Sequence, residues 1–113
     1  MLVYKVLTAE QAAAFTADGE TAGAPVDLAD GYIHLSTAEQ VAGTLAKHFA
    51  GQGGLVLLAL EPEALGSALR WEPSRGGALF PHLYRVLTAE DVSWRSPLPL
   101  GADGVHVLPE GLA

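Results

Sequence analysis

Apolar residues fall along this chain in short runs divided by glycines, prolines and acids, and the period of each run predicts its element. Leu2 to Leu7 is an apolar segment with Tyr4 and Lys5 inside it, and reads as a first strand. A helix follows over Ala9 to Phe15, with Ala12 and Phe15 available for packing, and Asp18-Gly19 ends it. A loop containing glycine and proline leads to Asp27. From Tyr32 to Ser36 the positions alternate as in a strand, placing Ile33 and Leu35 on an apolar face and Tyr32, His34 and Ser36 on the other. The helix expected over Thr37 to Phe49 carries Val41, Leu45 and Phe49 at four-residue spacing, one buried stripe, with Ser36 placed to cap against Glu39.

Gly51-Gln52-Gly53-Gly54 breaks the chain, and the unbroken apolar run Leu55 to Leu60 predicts a central strand covered on both faces. Glu61 to Leu65 reads as a single helical turn with Pro62 at its first position. Leu69 to Glu72 is a short strand and Pro73 to Gly77 a tight loop. Leu79 to Tyr84 alternates again, Phe80, His82 and Tyr84 sharing a face. Pro81 cannot donate to a ladder, so this strand is expected at an edge, or to begin after the proline. An exposed edge there would pair into a weak dimer, so monomer or weak dimer is the expected state. Val92 to Leu98 is a last strand, and 99–113 a loosely ordered tail behind a single domain spanning 1–98.

Thr8-Ala9-Glu10-Gln11, Thr37-Ala38-Glu39-Gln40 and Thr88-Ala89-Glu90-Asp91 share a pattern. Each matches a hydroxyl N-cap with a polar residue returning to it, so these are helix starts and not duplications. The order is roughly β-α-β-α-β-β-β-β. Most connections are too short for crossovers, so the expected fold is α+β, with a small mixed, mostly antiparallel sheet and two short helices.

The totals narrow the function classes. A chain of 113 residues holds one domain, and its 13 acidic against 6 basic side chains give a formal net charge of −7. Non-specific nucleic-acid binding, which neutralises phosphates with Lys and Arg, is therefore not expected. A small anion held by one or two bases still fits. With no cysteine, disulfides, thiolate metal sites and cysteine nucleophiles are excluded. No signal-like leader opens the chain and its longest apolar run is too short for a bilayer, so a soluble cytoplasmic protein without membrane contact is expected.

Four stretches carry candidate chemistry. His34, Ser36 and Thr37 precede a helix, where backbone N–H groups and a strand-end imidazole suit an anion or a carbonyl. The plainer alternative is a core histidine with Ser36 as a cap. In Trp71-Glu72-Pro73-Ser74-Arg75-Gly76-Gly77, Arg75 with Ser74 beside it suits two-point recognition of an oxyanion, or else Arg75 simply pairs with Glu72 in a surface turn. His82 repeats the His34 pattern, with Tyr84 on its face. Trp71 offers a ring for stacking or a core plug, and Glu72 a general base. The candidate catalytic residues are thus His34, His82 and Glu72. Tyr32, Ser36, Thr37, Trp71, Ser74, Arg75 and Tyr84 are the candidate ligand contacts. No HExxH, P-loop, GxGxxG or GxSxG motif occurs, and no metal site is expected.

Together, DGYIHLSTAEQ, LVLLAL and LRWEPSRGGALFPHLY resemble the bacterial family known as domain of unknown function 952, from Tyr4 to about Trp94. The resemblance implies a small cytoplasmic protein with an ADP-ribosyltransferase-like α+β fold. Transferases of that fold are similar over Ile33-His34-Leu35-Ser36, the helix bearing Ala42 and Ala46, and the Leu55 to Leu60 strand. There His34 takes the place of a residue that stacks on nicotinamide, which makes NAD or another nucleotide the implied cofactor or ligand. Their first strand carries a ribose-holding His or Arg where this chain has Tyr4-Lys5-Val6-Leu7, and their late catalytic glutamate has no clear counterpart here.

Three readings follow. The first is a pocket for a phosphate-bearing or nucleotide-like ligand, in an ADP-ribosyl- or phosphoryl-transferring enzyme or a degenerate relative. The second is a non-catalytic small-ligand or protein-binding module. The third is a metal-assisted hydrolase using His34, His82 and a carboxylate.

Overall fold

The computed structural model describes residues 1–112, and the side chain of each except Arg75. The chain runs β1 (Val3–Leu7), α1 (Ala9–Asp18), β2 (Glu20–Thr21), α2 (Pro25–Asp30), β3 (Ile33–His34), β4 (Ser36–Thr37), α3 (Ala38–His48) and β5 (Leu55–Leu60). Then come α4 (Pro62–Leu65), β6 (Leu69–Ser74), β7 (Ala78–Leu83), β8 (Leu87–Thr88) and β9 (Val92–Leu98). The first sheet is antiparallel in the order β4-β1-β5-β9, and a second, three-stranded sheet has the order β3-β7-β6. A two-residue ladder joins β2 to β8. The result is α+β with antiparallel pairing throughout.

Alternation along β1 and β5 explains their hydrophobicity. Val3 and Leu7 of β1 join Leu58 and Leu60 of β5 in one core, completed by Ala12 and Phe15 of α1 and by Ile33 and Leu83 of the second sheet. Tyr4 and Val6, with Leu57 and Ala59, face a second core beneath Val41 and Leu45 of α3. The first sheet is thus covered on both faces, as the unbroken run of β5 predicts. Residues 99–112 turn back through Gly101 N–H to Val105 O (2.8 Å) and Val107 N–H to Pro99 O (2.7 Å), and Leu108 and Leu112 lie against the second core.

Several local expectations are corrected. The segment before Asp30 is a short helix, α2, begun by Pro25, so the molecule has more than the two helices expected. Thr8 and Thr37 do begin helices, whereas Thr88 begins a single 3₁₀ turn. Ser36 does not cap α3: the Thr37 N–H donates to Gln40 Oε1 at 3.0 Å, and Ser36 Oγ lies 2.9 Å from Thr44 Oγ1. Pro73 and Ser74 continue β6 rather than forming the loop.

β7 is the middle strand of its sheet, not an edge, so a dimer through that edge has no basis. Pro81 fits there because its carbonyl accepts from the Leu35 N–H (3.0 Å). Carbonyl and N–H of one residue point the same way in an antiparallel strand, so the missing donor faces the short β3 side and not β6.

Candidate functional site

The stretch from Ile33 to Thr37 is one segment shared between two sheets. His34 is the register partner of His82 on β7, and two residues later Ser36 pairs with Tyr4 on β1. Ile33 and Leu35 are buried in the first core. Since β4 covers only Val3 and Tyr4, the remainder of β1 is unpaired on that side. A cavity of about 380 Å³ lies there, with Lys5 and Val6 of β1 in its wall.

Lys5 points to the same side as Val3 and Leu7, into the space between the sheets, and its side chain is 7% exposed. A cation so placed needs a partner. Its Nζ donates to Asp27 Oδ2 at 2.8 Å and to the His34 carbonyl at 3.1 Å. Asp27 is the third residue of α2 and also accepts from the Ala24 N–H (2.7 Å), which caps that helix. Its other oxygen accepts from the His34 N–H (3.0 Å) and from His34 Nδ1 (2.6 Å). Both carboxylate oxygens are thus twice occupied. Gly23, at φ +105°, lies so close that a Cβ there would collide with this carboxylate.

Burial pushes Lys5 below the usual lysine range, although the adjacent Asp27 charge and hydrogen bond oppose the shift. Burial alone would raise Asp27, but Lys5 and the His34 bonds outweigh it and hold the carboxyl below its ordinary range. His34 Nε2 lies 3.0 Å from Asp30 Oδ2. Both its ring nitrogens therefore face carboxylates, and only the doubly protonated ring donates to both.

The neighbouring histidine is held differently. His82, 2% exposed, places Nδ1 2.8 Å from Glu72 Oε1, which also accepts from the Tyr84 hydroxyl at 2.6 Å. With the proton on Nδ1, neutral His82 keeps a basic lone pair on Nε2. The Tyr84 hydroxyl and then His82 hold Glu72 below its usual range, and the same bond raises Tyr84. Tyr32 stacks on the His82 ring at 4.2 Å, and the two imidazoles are 5.4 Å apart, edge to face. Partial burial raises Tyr32, as do Asp30, Glu72 and Asp27.

Residues 6–95 match the family model described as a protein of unknown function, DUF952. The chain belongs to that family. It is similar over 99% of its length to the crystal structure of protein CC0527 from Caulobacter crescentus, covering 98% of that chain at 53% identity with a TM-score of 0.93. A crystal structure of a double mutant of CC0527 matches at 51% identity with a TM-score of 0.92, over 99% of this chain and 98% of that one. The solution NMR structure of CC0527 matches at 55% identity with a TM-score of 0.83, over 92% and 90%. No curated protein matches the chain.

In this DUF952 protein the structure brings His34, Ser36, Ser74 and His82 to the cavity wall. Glu72 holds His82, the Tyr84 hydroxyl holds Glu72, and the Tyr32 ring lies against both histidines. Thr37 is taken up by the α3 start. Trp71, 39% exposed, neighbours Pro81 across the ladder, away from Glu72 and His82. The Arg75 side chain lies outside the described residues. Among the described residues, no group of three or more His, Asp or Glu side chains is arranged to hold a metal.

Sequence reasoning missed Lys5, Asp27, Thr44, Lys47 and Phe49 as wall residues. Two signals existed. Lys5 interrupts a run whose other residues are all apolar or aromatic, and Asp27 follows Ala24-Pro25-Val26 at the third position of a proline-started helix. No helix among the described residues is long and apolar enough to cross a membrane.

Proposed function

We propose that this protein binds a small phosphate-bearing or nucleotide-like ligand in the cavity between its two sheets. One observation carries the reading. In a chain with a formal net charge of −7, the cavity wall holds Lys5, Lys47 and the histidines 34, 48 and 82, while Asp27 is the one carboxylate among the described residues lining it. That carboxylate is already saturated by four donors. The remaining wall combines hydroxyls with Leu35, Phe49 and Phe80, which suits an anion attached to an apolar or aromatic body.

If the protein is an enzyme, His82 is the acid–base group, oriented by Glu72, and Lys5 and His34 stabilise negative charge. The ADP-ribosyltransferase-like kinship implied by the sequence puts NAD among the ligands to test, with Lys5 on the strand where those transferases hold a ribose. A second reading, a binding module without turnover, is favoured by His34. Both of its ring nitrogens are engaged by carboxylates, so neither is free to exchange a proton with a ligand.

The test is ligand-detected NMR of the purified chain against NAD, nucleoside phosphates and inorganic phosphate, with a His34→Ala variant shown by circular dichroism to be folded. Saturable binding that weakens at least tenfold in the variant is expected. Failure of every one of these anions to bind the wild-type protein would overturn the reading.

A further inference from the structure

The wall of the cavity says more than that an anion fits; this step rests on the reading just given. We infer that its ligand carries a single phosphoryl group on one aromatic-bearing unit, a nucleoside monophosphate in size and charge, rather than a dinucleotide or a polyphosphate.

Three independent features lead there. The volume, about 380 Å³, lies near the lower end of the range of small-molecule sites, ~300–1,000 Å³. That is enough for one nucleotide and tight for two. Charge gives the second limit. Lys5 is matched by Asp27, so Lys47 supplies the one uncompensated ammonium among the described lining residues, and the histidines add charge only as they take protons. A monophosphate comes nearest to being balanced by such a wall, whereas a triphosphate would enter with a large excess of negative charge.

The third feature is the absence of a phosphate cradle. Pyrophosphates are gripped by successive backbone N–H groups in glycine-rich loops. Among the described residues lining this cavity there is no glycine. The glycines at 51, 53 and 54 and those at 76 and 77 lie in loops outside it. Recognition here comes from side chains, an ammonium and imidazoles together with the rings of Phe49 and Phe80. That combination suits a phosphate joined to a base through one sugar.

The experiment is calorimetric titration of the full chain with the four common nucleoside 5′-monophosphates. The corresponding nucleosides, ATP, NAD and inorganic phosphate are titrated alongside, and the Lys47→Gln variant runs in parallel. Lys47 is exposed, so the variant is expected to fold. At least one monophosphate should bind ~10-fold or more tightly than its nucleoside, than inorganic phosphate, than ATP and than NAD, and Lys47→Gln should weaken it ~10-fold, as loss of one charge-assisted contact does. If NAD or ATP binds as tightly as every monophosphate, or tighter, this inference falls while the nucleotide reading stands. If Lys47→Gln binds the best monophosphate unchanged, the charge argument is wrong and the inference falls with it. If the folded wild-type protein binds no anion in the series, both fall.

Discussion

Asp27 and Asp91 begin as the same local device and end as different things. Each is the third residue of a short helical turn and accepts from the backbone N–H at the start of that turn, Ala24 for Asp27 (2.7 Å) and Thr88 for Asp91 (2.9 Å). Each also pairs with a distant or neighbouring cation. Arg85 grips Asp91 through both of its terminal nitrogens, at 2.8 and 3.0 Å, and its side chain is 34% exposed. Lys5 meets Asp27 through one nitrogen and is 7% exposed. Around Asp91 the remaining bond goes to the Thr88 hydroxyl, and water shares the arginine. Around Asp27 it goes to an imidazole, in the wall of a cavity. A capping acid with an ion pair is ordinary fold chemistry. Sealing the pair from water and adding His34 is what sets the Asp27 end apart.

The sharpest way to break that contrast is to neutralise each acid in turn. Asp27→Asn places an amide NH₂ against the Lys5 ammonium or the His34 N–H, leaving a buried cation without its partner. Removing one member of a buried pair costs ~3–5 kcal/mol. Asp91→Asn keeps an acceptor for Thr88 and frees Arg85 to solvent, so the cost is ~1–2 kcal/mol. Urea unfolding of the two variants beside wild type measures the difference. Equal losses would mean that the sealed pair adds nothing beyond capping.

The pH dependence separates the two acids again, by a smaller amount. Both carboxyls sit below the ordinary aspartate range: Asp27 because Lys5 and His34 outweigh its burial, Asp91 first through its bond to Arg85. A carboxyl depressed in the folded state stabilises the fold above its unfolded pKa of ~3.9, and that stability is lost as pH falls through the folded value. Wild-type stability should therefore decline on acidification below about pH 4. Asp27→Asn should flatten that decline more than Asp91→Asn, since its charge is the better shielded. Denaturant midpoints measured from neutral to acid pH give the answer, and superimposable acid limbs in the two variants would remove the distinction.

Much of this architecture was legible because it depends on local pattern. The apolar run of Leu55 to Leu60 read as a strand covered twice, and the alternation from Tyr32 to Ser36 put Ile33 and Leu35 in the core, although Leu35 also reaches the cavity wall beside His34 and Ser36. Pro81 misled because its missing N–H falls just where the short β3 has ended, and sequence does not say where a neighbouring strand stops. Lys5 and Asp27 escaped for a related reason. They are 22 positions apart, and nothing local shows that a lysine in a strand and an aspartate in a proline-started turn will meet. Their meeting is a product of the sheet order, and so is the cavity that β4 leaves open along β1.

The smallest expected effect completes the series by removing the charge altogether. Gln11 is the third residue of α1 and plays the same capping part with a neutral group, accepting from the Thr8 N–H at 3.0 Å while its own N–H donates to Thr8 Oγ1 at 3.1 Å. It has the geometry of Asp27 and Asp91 without their ion pairs. Gln11→Ala leaves the Thr8 hydroxyl bond in place and surrenders only the return bond, at a helix end that water reaches. The expected loss is ~0.5 kcal/mol, at the lower limit of a net hydrogen bond. The same urea unfolding measures it. A loss matching that of Asp91→Asn would show that the return bond alone accounts for what is assigned to Arg85. A loss well below it leaves charge, and then burial of that charge, as what separates three copies of one cap.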